Sequence, residues 1–168
     1  MGEDFEKGVI FLPQLIQAAT AAQAGFEQIR LALARQAAAP SVSKGKIVLA
    51  TVKGDVHDIG KNIVRVILEN YGYDVVDLGK DVPIETVVEE TLRTGAPLVG
   101  LSALMTTTVV SMQQTIEALR QSGADCKIMV GGAVLTAEYA RQIGADFYAK
   151  DAKQSADIAK QVLGARKD

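Results

Sequence analysis

Lys46-Ile47-Val48-Leu49-Ala50-Thr51-Val52-Lys53-Gly54-Asp55-Val56-His57-Asp58-Ile59-Gly60-Lys61-Asn62-Ile63-Val64 is the stretch that decides the fold. Ile47–Val52 is a nearly continuous apolar run, too short for a buried helix and closed by a glycine turn, so it reads as a strand buried on both faces. From Lys61 to Tyr71 the apolar residues recur at helical spacing. A buried strand that feeds a helix through a short loop is half of a parallel strand–helix–strand unit.

The same alternation continues downstream. Strands are expected at Asp74–Leu78, Leu98–Leu101, Lys127–Val130 and Phe147–Ala149, with helices at Ile84–Thr94, Val109–Ser122, Ala137–Ile143 and Lys153–Leu163. The fold class is therefore α/β, a five-stranded parallel sheet with helices on both faces. The common arrangement for five such strands is the flavodoxin-like (Rossmann-like) order 2-1-3-4-5. Upstream, Val9 to Gln36 reads as a helix, with Phe11, Leu12, Leu15, Ile16, Ala19, Phe26 and Leu33 on one stripe that needs a cover. This gives residues 1–38 as a helical appendage, 39–45 as an Ala/Pro/Ser linker and 46–168 as the α/β domain.

Composition narrows the function. Across 168 residues, 48% are hydrophobic, 23% are charged and the net charge is -2, which is globular and offers no basic surface for nucleic acid. Aromatic residues are 5% and tryptophan is absent, which argues against a base-stacking platform. Cys126 is the only cysteine, so no internal disulfide framework exists, and no apolar run is long enough for a bilayer. A cytoplasmic chain with no membrane partner is expected.

In such sheets ligands bind beyond the carboxyl ends of the strands, near the switch point between strands one and three. The loops there are Gly54-Asp55-Val56-His57-Asp58-Ile59-Gly60, Ser102-Ala103-Leu104-Met105-Thr106-Thr107-Thr108 and Gly131-Gly132-Ala133. His57 is the only histidine, too few ligands for a protein-built zinc, iron or copper site. A macrocycle that fills the equatorial positions of a metal needs a single imidazole from the protein. Asp55 stands where it can accept the other ring N–H and set the tautomer. A surface-loop histidine beside solvated Asp55 and Asp58 is the plain alternative. An anion at the helix opening near Gly60 is another, although the triphosphate-loop pattern is missing.

Taken together, the three loops resemble the cobalamin-binding domain family, whose motif is Asp-x-His-x-x-Gly, then Ser-x-Leu, then Gly-Gly. Here it reads Asp55-x-His57-x-x-Gly60, Ser102-x-Leu104 and Gly131-Gly132, in the family's order and at its separations. Thr51–Val64, Asp77–Pro83 and Phe11-Leu12-Pro13-Gln14 are similar to its methyltransferase branch. The resemblance implies cobalamin bound with its own base displaced and its tail threaded into the sheet. It makes His57 the lower axial ligand to cobalt. Gly54, Asp55, Val56, His57, Asp58 and Gly60 would meet the cofactor from the first loop. Ser102, Leu104, Gly131 and Gly132 would line the tail pocket, the glycines because a side chain would block the tail. Thr106 and Ala152 match further contact positions.

The family's relay from His through Asp ends on a serine, and here Thr108 stands in that place. Its hydroxyl can serve Asp55, or the threonine run can instead cap the next helix. Residues 1–38 resemble the remnant of a helical cap, with Phe5, Leu12 and Leu15 shielding the upper face of the corrin. Leu12 and Leu15 are equally suited to plain helix packing, and the uncovered face to self-association.

The activity implied is methyl carriage, the cofactor cycling between methylcobalamin and cob(I)alamin, with Asp55 and Thr108 tuning His57 as a ligand. The chain would be the corrinoid module of a methyltransferase and not a complete enzyme. Its partners would be methyl-donor and methyl-acceptor domains in cis or in trans, with a reactivation domain as a further one. The first expectation is a fragment of cobalamin-dependent methionine synthase, moving methyl from methyltetrahydrofolate to homocysteine. The alternative is a free-standing corrinoid protein of a methanol, methylamine or methoxy-aromatic methyltransferase system, which Leu104–Thr108 resembles as closely. A cobalamin-dependent sensor is a third class.

Overall fold

The computed structural model describes residues 43–164, together with Gly25 and Gln28, which are helical and exposed. The rest of the expected first helix lies outside the described residues. The chain divides into two compact units, Met1–Ser41 and Val42–Asp168, and the second holds the sheet.

Its elements alternate as the hydrophobic pattern requires. They are β1 (Lys46–Thr51), α1 (Ile59–Asn70), β2 (Asp74–Asp77), α2 (Ile84–Thr94), β3 (Leu98–Ser102), α3 (Val109–Gln121), β4 (Lys127–Gly131), α4 (Ala137–Gln142), β5 (Phe147–Ala149) and α5 (Ala152–Gly164). A single turn of 3-10 helix, Thr106–Thr108, precedes α3. The strands form one parallel sheet in the order β2-β1-β3-β4-β5. The chain leaves β1 toward β2 on one side and builds β3, β4 and β5 on the other. The loops after β1 and β3 therefore part at the carboxyl edge and open the crevice where such folds bind ligands.

Side chains alternate along each strand, and both faces are apolar, as a parallel sheet demands. Ile47, Leu49, Leu98 and Met129 pack with Leu68 of α1 and with Ala156, Ala159 and Leu163 of α5. Val48, Ala50, Val52, Val99, Leu101, Ile128 and Val130 pack with Val87 of α2, with Met112, Ile116 and Leu119 of α3 and with Ala140 of α4. Glycine at position 100 is demanded by this packing. A Cβ there would lie 2.5 Å from Leu49 Cδ2 and 3.3 Å from Met129 Cε.

Element ends differ from expectation by a residue or two, for local reasons. Val52 leaves the β1 ladder, forms an isolated bridge with Val82 and donates its N–H to Ser102 O at 3.0 Å. α1 begins at Ile59, two residues early, because the Asp58 carbonyl accepts the Asn62 N–H at 2.8 Å and the helix absorbs Gly60. α5 begins at Ala152 because Asp151 Oδ1 caps it, accepting the Gln154 N–H at 2.8 Å. Among the described residues no helix is long and apolar enough to cross a membrane.

Candidate functional site

Asp55 is the centre of the carboxyl edge. It has no exposed surface, yet both carboxylate oxygens are fully engaged. Oδ1 accepts the His57 backbone N–H at 3.0 Å and faces His57 Nδ1 at 2.8 Å. Oδ2 accepts the Leu104 N–H at 2.7 Å, the Met105 N–H at 3.3 Å and the Thr108 hydroxyl at 2.8 Å. Burial pushes this carboxyl up. The hydrogen bonds from Leu104, the His57 backbone, Thr108 and the His57 ring outweigh burial and hold it well below the usual carboxylate range. One side chain on the β1 loop thereby fastens the β3 loop.

An ionised carboxylate can only accept hydrogen bonds, so Nδ1 of His57 must donate. Nε2 then carries the lone pair, and the ring is about half exposed, with side-chain exposure of 47%. Among the described residues no three His, Cys, Asp or Glu side chains converge on a metal position. The arrangement therefore presents one oriented, solvent-facing imidazole nitrogen. Around it stand exposed apolar side chains, Val56, Ile59, Leu104 and Val110, in a region that would suit a flat, largely apolar ligand.

Thr108 is buried. Its hydroxyl also reaches the Met105 carbonyl at 2.9 Å, so a single proton has two acceptors. Its methyl fits because residue 54 is glycine: a Cβ there would be 3.5 Å from Thr108 Cγ2. Neither Met105 nor Thr108 makes a side-chain cap for the helical turns that follow, so the capping role is not taken up.

The remaining candidates divide. Gly54, Val56 and Asp58 share the His57 loop, and Gly60 sits in the first turn of α1, where an added Cβ would find nothing within 4 Å. Ser102 ends β3 in register with Thr51 and Gly131. Thr106 is exposed on the 3-10 turn. Ala152 opens α5 beyond β5, the far edge strand, away from the His57 cluster. Phe5, Leu12 and Leu15 lie outside the described residues. For Gly132 the structure supplies a reason other than the ligand: its φ is +138° and a Cβ would meet the Ala103 backbone oxygen at 1.8 Å. A Cβ on Gly131 would lie 3.1 Å from Ala149 O.

Two residues were missed by sequence reasoning. Asp81 sits at φ 52°, a left-handed conformation that Asp tolerates better than most residues. Its Oδ1 accepts the Gly54 N–H at 2.6 Å while its own N–H donates to Asp55 O at 2.9 Å. The β2–α2 loop is thus latched to the His57 loop. Thr51, at the end of β1, has a buried hydroxyl with no hydrogen-bond partner. An aspartate next to Val-Pro in a glycine-containing loop hinted at the first; no local signal marks the second.

Beneath the loop, Lys61 is buried and pairs with Asp77, which also accepts from Arg65 at 2.9 Å and from the Gly79 N–H at 3.0 Å. For Asp77 burial is again outweighed, by the Lys61 hydrogen bond, the Gly79 N–H and the charges of Lys61 and Arg65, and the carboxyl is held low. Asp146 is held low as well: burial opposes, but the Ile128 N–H, Arg120 and Lys127 prevail. A carboxyl lowered by folding binds its proton more readily in the unfolded chain. The stability it lends is full above ordinary carboxylate values near ~4 and drains as the pH falls below them. The melting temperature followed by circular dichroism should accordingly drop steeply as the pH is lowered from about 5 toward 2, through this window. A melting temperature constant down to about pH 3 would contradict the assignment of these three groups.

A protein-family model described as the B12 binding domain matches residues 45–157. The chain is similar to dimethylamine corrinoid protein 1 of Methanosarcina acetivorans, 44% identical over 97% of this chain and 76% of that protein. The monomethylamine corrinoid protein of Methanosarcina barkeri has a similar structure, with a TM-score of 0.79 at 33% identity, over 96% of this chain and 76% of that one. A chain of the methanol:cobalamin methyltransferase complex from Methanosarcina barkeri superposes with a TM-score of 0.72 at 33% identity, covering 96% of this chain and 61% of that one.

Proposed function

The chain belongs to the B12-binding domain family, with cobalamin as its cofactor, and from that premise we propose that it carries methyl groups as the corrinoid protein of a methylamine-type methyltransferase system. The observation that carries this reading is the His57 imidazole, anchored through Nδ1 on a buried carboxylate and open at Nε2. That donor set fits a metal whose other equatorial positions are already filled, and it fits no metal held by protein alone.

Bound cobalamin supplies a cobalt centre that takes on and gives up methyl groups. The chain's own residues prepare for it. Asp55 fixes the His57 tautomer, and Thr108 holds Asp55 from behind. Val56, Ile59 and Leu104 offer apolar contact to the underside of the ring. Ser102, Leu104, Gly131 and Gly132 are assigned to the tail, Thr106 and Ala152 to its outer contacts. Phe5, Leu12 and Leu15 of residues 1–38 are assigned to the cap over the upper face.

The methionine synthase fragment expected above gives way here to what was its alternative. The Asp-x-His-x-x-Gly, Ser-x-Leu and Gly-Gly motif is common to both branches and cannot separate them. The similarity over 97% of this chain is to a dimethylamine corrinoid protein, which favours amines over methyltetrahydrofolate as the methyl source and leaves methionine biosynthesis without support. The partners proposed are methyltransferase subunits acting in trans, one delivering and one removing the methyl group. The chain is the carrier between them and not a complete enzyme.

The test is corrinoid retention and its spectrum. Protein mixed with methylcobalamin and desalted should keep the cofactor and show the visible spectrum of a histidine-ligated corrinoid. His57→Ala should keep most of the cofactor, through the tail, with a spectrum shifted to the unligated form. An unchanged spectrum in the variant removes His57 as the ligand, and a wild-type protein that retains no corrinoid removes the reading altogether.

A further inference from the structure

Strand alternation places Thr51 on the same face of the sheet as Ile47 and Leu49, the face covered by α1 and α5. Parallel register aligns Thr51 with Ser102, Ser102 with Gly131, and Gly131 with Ala149. The last row of the sheet on this face is therefore Thr, Ser, Gly, Ala. The row below is Leu49, Gly100, Met129 and Phe147. There the Leu49 and Met129 side chains close over Gly100 and form a floor. Above that floor nothing larger than threonine projects, and Gly60 on α1 has open space where a side chain would be. The carboxyl end of this face is a trough between sheet and helices.

Small residues alone would not make a site. Thr51 adds an independent observation: it has no exposed surface, and its Oγ1 has no hydrogen-bond partner. Its backbone is fully used, with the N–H donating to Gly79 O at 3.0 Å and the carbonyl accepting from Val82 at 3.1 Å, so the orphan is the hydroxyl itself. A buried hydroxyl without a partner opposes folding, and valine would fill the same volume with better strand propensity. A threonine that the fold does not use points to a ligand that does.

We propose that the Thr51 hydroxyl donates a hydrogen bond to an acceptor atom of the cofactor's nucleotide tail, seated in this trough. The inference rests on the cobalamin reading above. The tail is the part of a corrinoid that matches the space: narrow enough to lie between a helix and a sheet, and carrying ring-nitrogen and ribose oxygen acceptors. The corrin ring is too broad for it and belongs at the open face by His57.

The test compares Thr51→Val and Thr51→Ser with the wild type in the full chain, by titration with hydroxocobalamin and with cobinamide, which lacks the nucleotide tail. Without cofactor, Thr51→Val should melt at the wild-type temperature or above it, because it removes a buried group that nothing in the protein satisfies. Its affinity for cobalamin should fall about tenfold, the loss of one buried hydrogen bond, with Thr51→Ser close to the wild type. Its affinity for cobinamide should not change. A lowered melting temperature of the cofactor-free Thr51→Val protein would show that the hydroxyl serves the fold and would overturn the proposal. Wild-type affinity for cobalamin in Thr51→Val, or an equal loss for cobinamide, would overturn it too. If the wild type binds neither corrinoid, the cobalamin reading itself fails, a result distinct from either of these.

Discussion

Gly132→Ala should cost about 4 kcal/mol or more and leave much of the protein unfolded at 37 °C, an effect reserved for substitutions that break backbone packing. The added Cβ would lie 1.8 Å from the Ala103 oxygen, 2.8 Å from its carbonyl carbon and 3.3 Å from its nitrogen. All three are backbone atoms, so no side chain can swing aside. A φ of +138° also lies in the region that residues with a Cβ avoid. Neither segment can back away freely. Ala103 is fully buried and donates its N–H to Gly131 O at 3.2 Å, and the next residue, Leu104, is tied to Asp55. Gly132 O in turn accepts the Leu135 N–H at 3.1 Å. The comparison that gives this prediction its edge is Gly60→Ala. That glycine lies within α1 with nothing in reach of a Cβ, so alanine should raise stability by about 0.5 kcal/mol through helix propensity. Urea melts of the two cofactor-free variants should therefore move in opposite directions. Equal destabilisation would mean that Gly132 does not press on Ala103 in this way.

The two glycines also show how far a sequence can be read. Both belong to the motif, and family resemblance explains Gly131-Gly132 only as room for a ligand. The packing of Gly132 against Ala103 depends on how two adjacent strand ends approach, which no spacing rule reveals. The strand and helix pattern is legible because hydrophobic periodicity carries it, and the helix starts shift only where Gly60 or Asp151 governs a cap. Asp55 and His57 are two residues apart, so a hydrogen bond between them follows from local geometry. Thr108, separated from Asp55 by 53 positions, is reachable only through family resemblance. Asp81 and Thr51 lie beyond both kinds of signal. The role of Asp81 comes from a left-handed backbone and a cross-loop amide. The role of Thr51 comes from what fails to stand opposite its hydroxyl. Features that consist of a missing partner leave no mark on the local sequence.

Asp55 offers the second large effect, and two substitutions there separate its two duties. Asp55→Ala strips the acceptor from the backbone N–H groups of His57, Leu104 and Met105 and from the Thr108 hydroxyl, at a position with no access to water. Orphaning several buried donors at once should cost about 3–5 kcal/mol, visible as a lower urea midpoint without cofactor. Asp55→Asn keeps the volume and one oxygen. With the oxygen turned toward Leu104 and Thr108 the β3 loop stays fastened, and the loss should be smaller, about 1–3 kcal/mol. The amide NH2 then faces His57. A neighbour that donates forces Nδ1 to accept, which moves the ring proton to Nε2 and removes the lone pair from the nitrogen that faces the ligand. The asparagine protein should therefore fold and retain methylcobalamin, yet show the spectrum of a corrinoid without histidine ligation, like His57→Ala. If Asp55→Asn instead gives the wild-type ligated spectrum, the carboxylate does not set the tautomer, and its place is purely that of a clasp between the β1 and β3 loops.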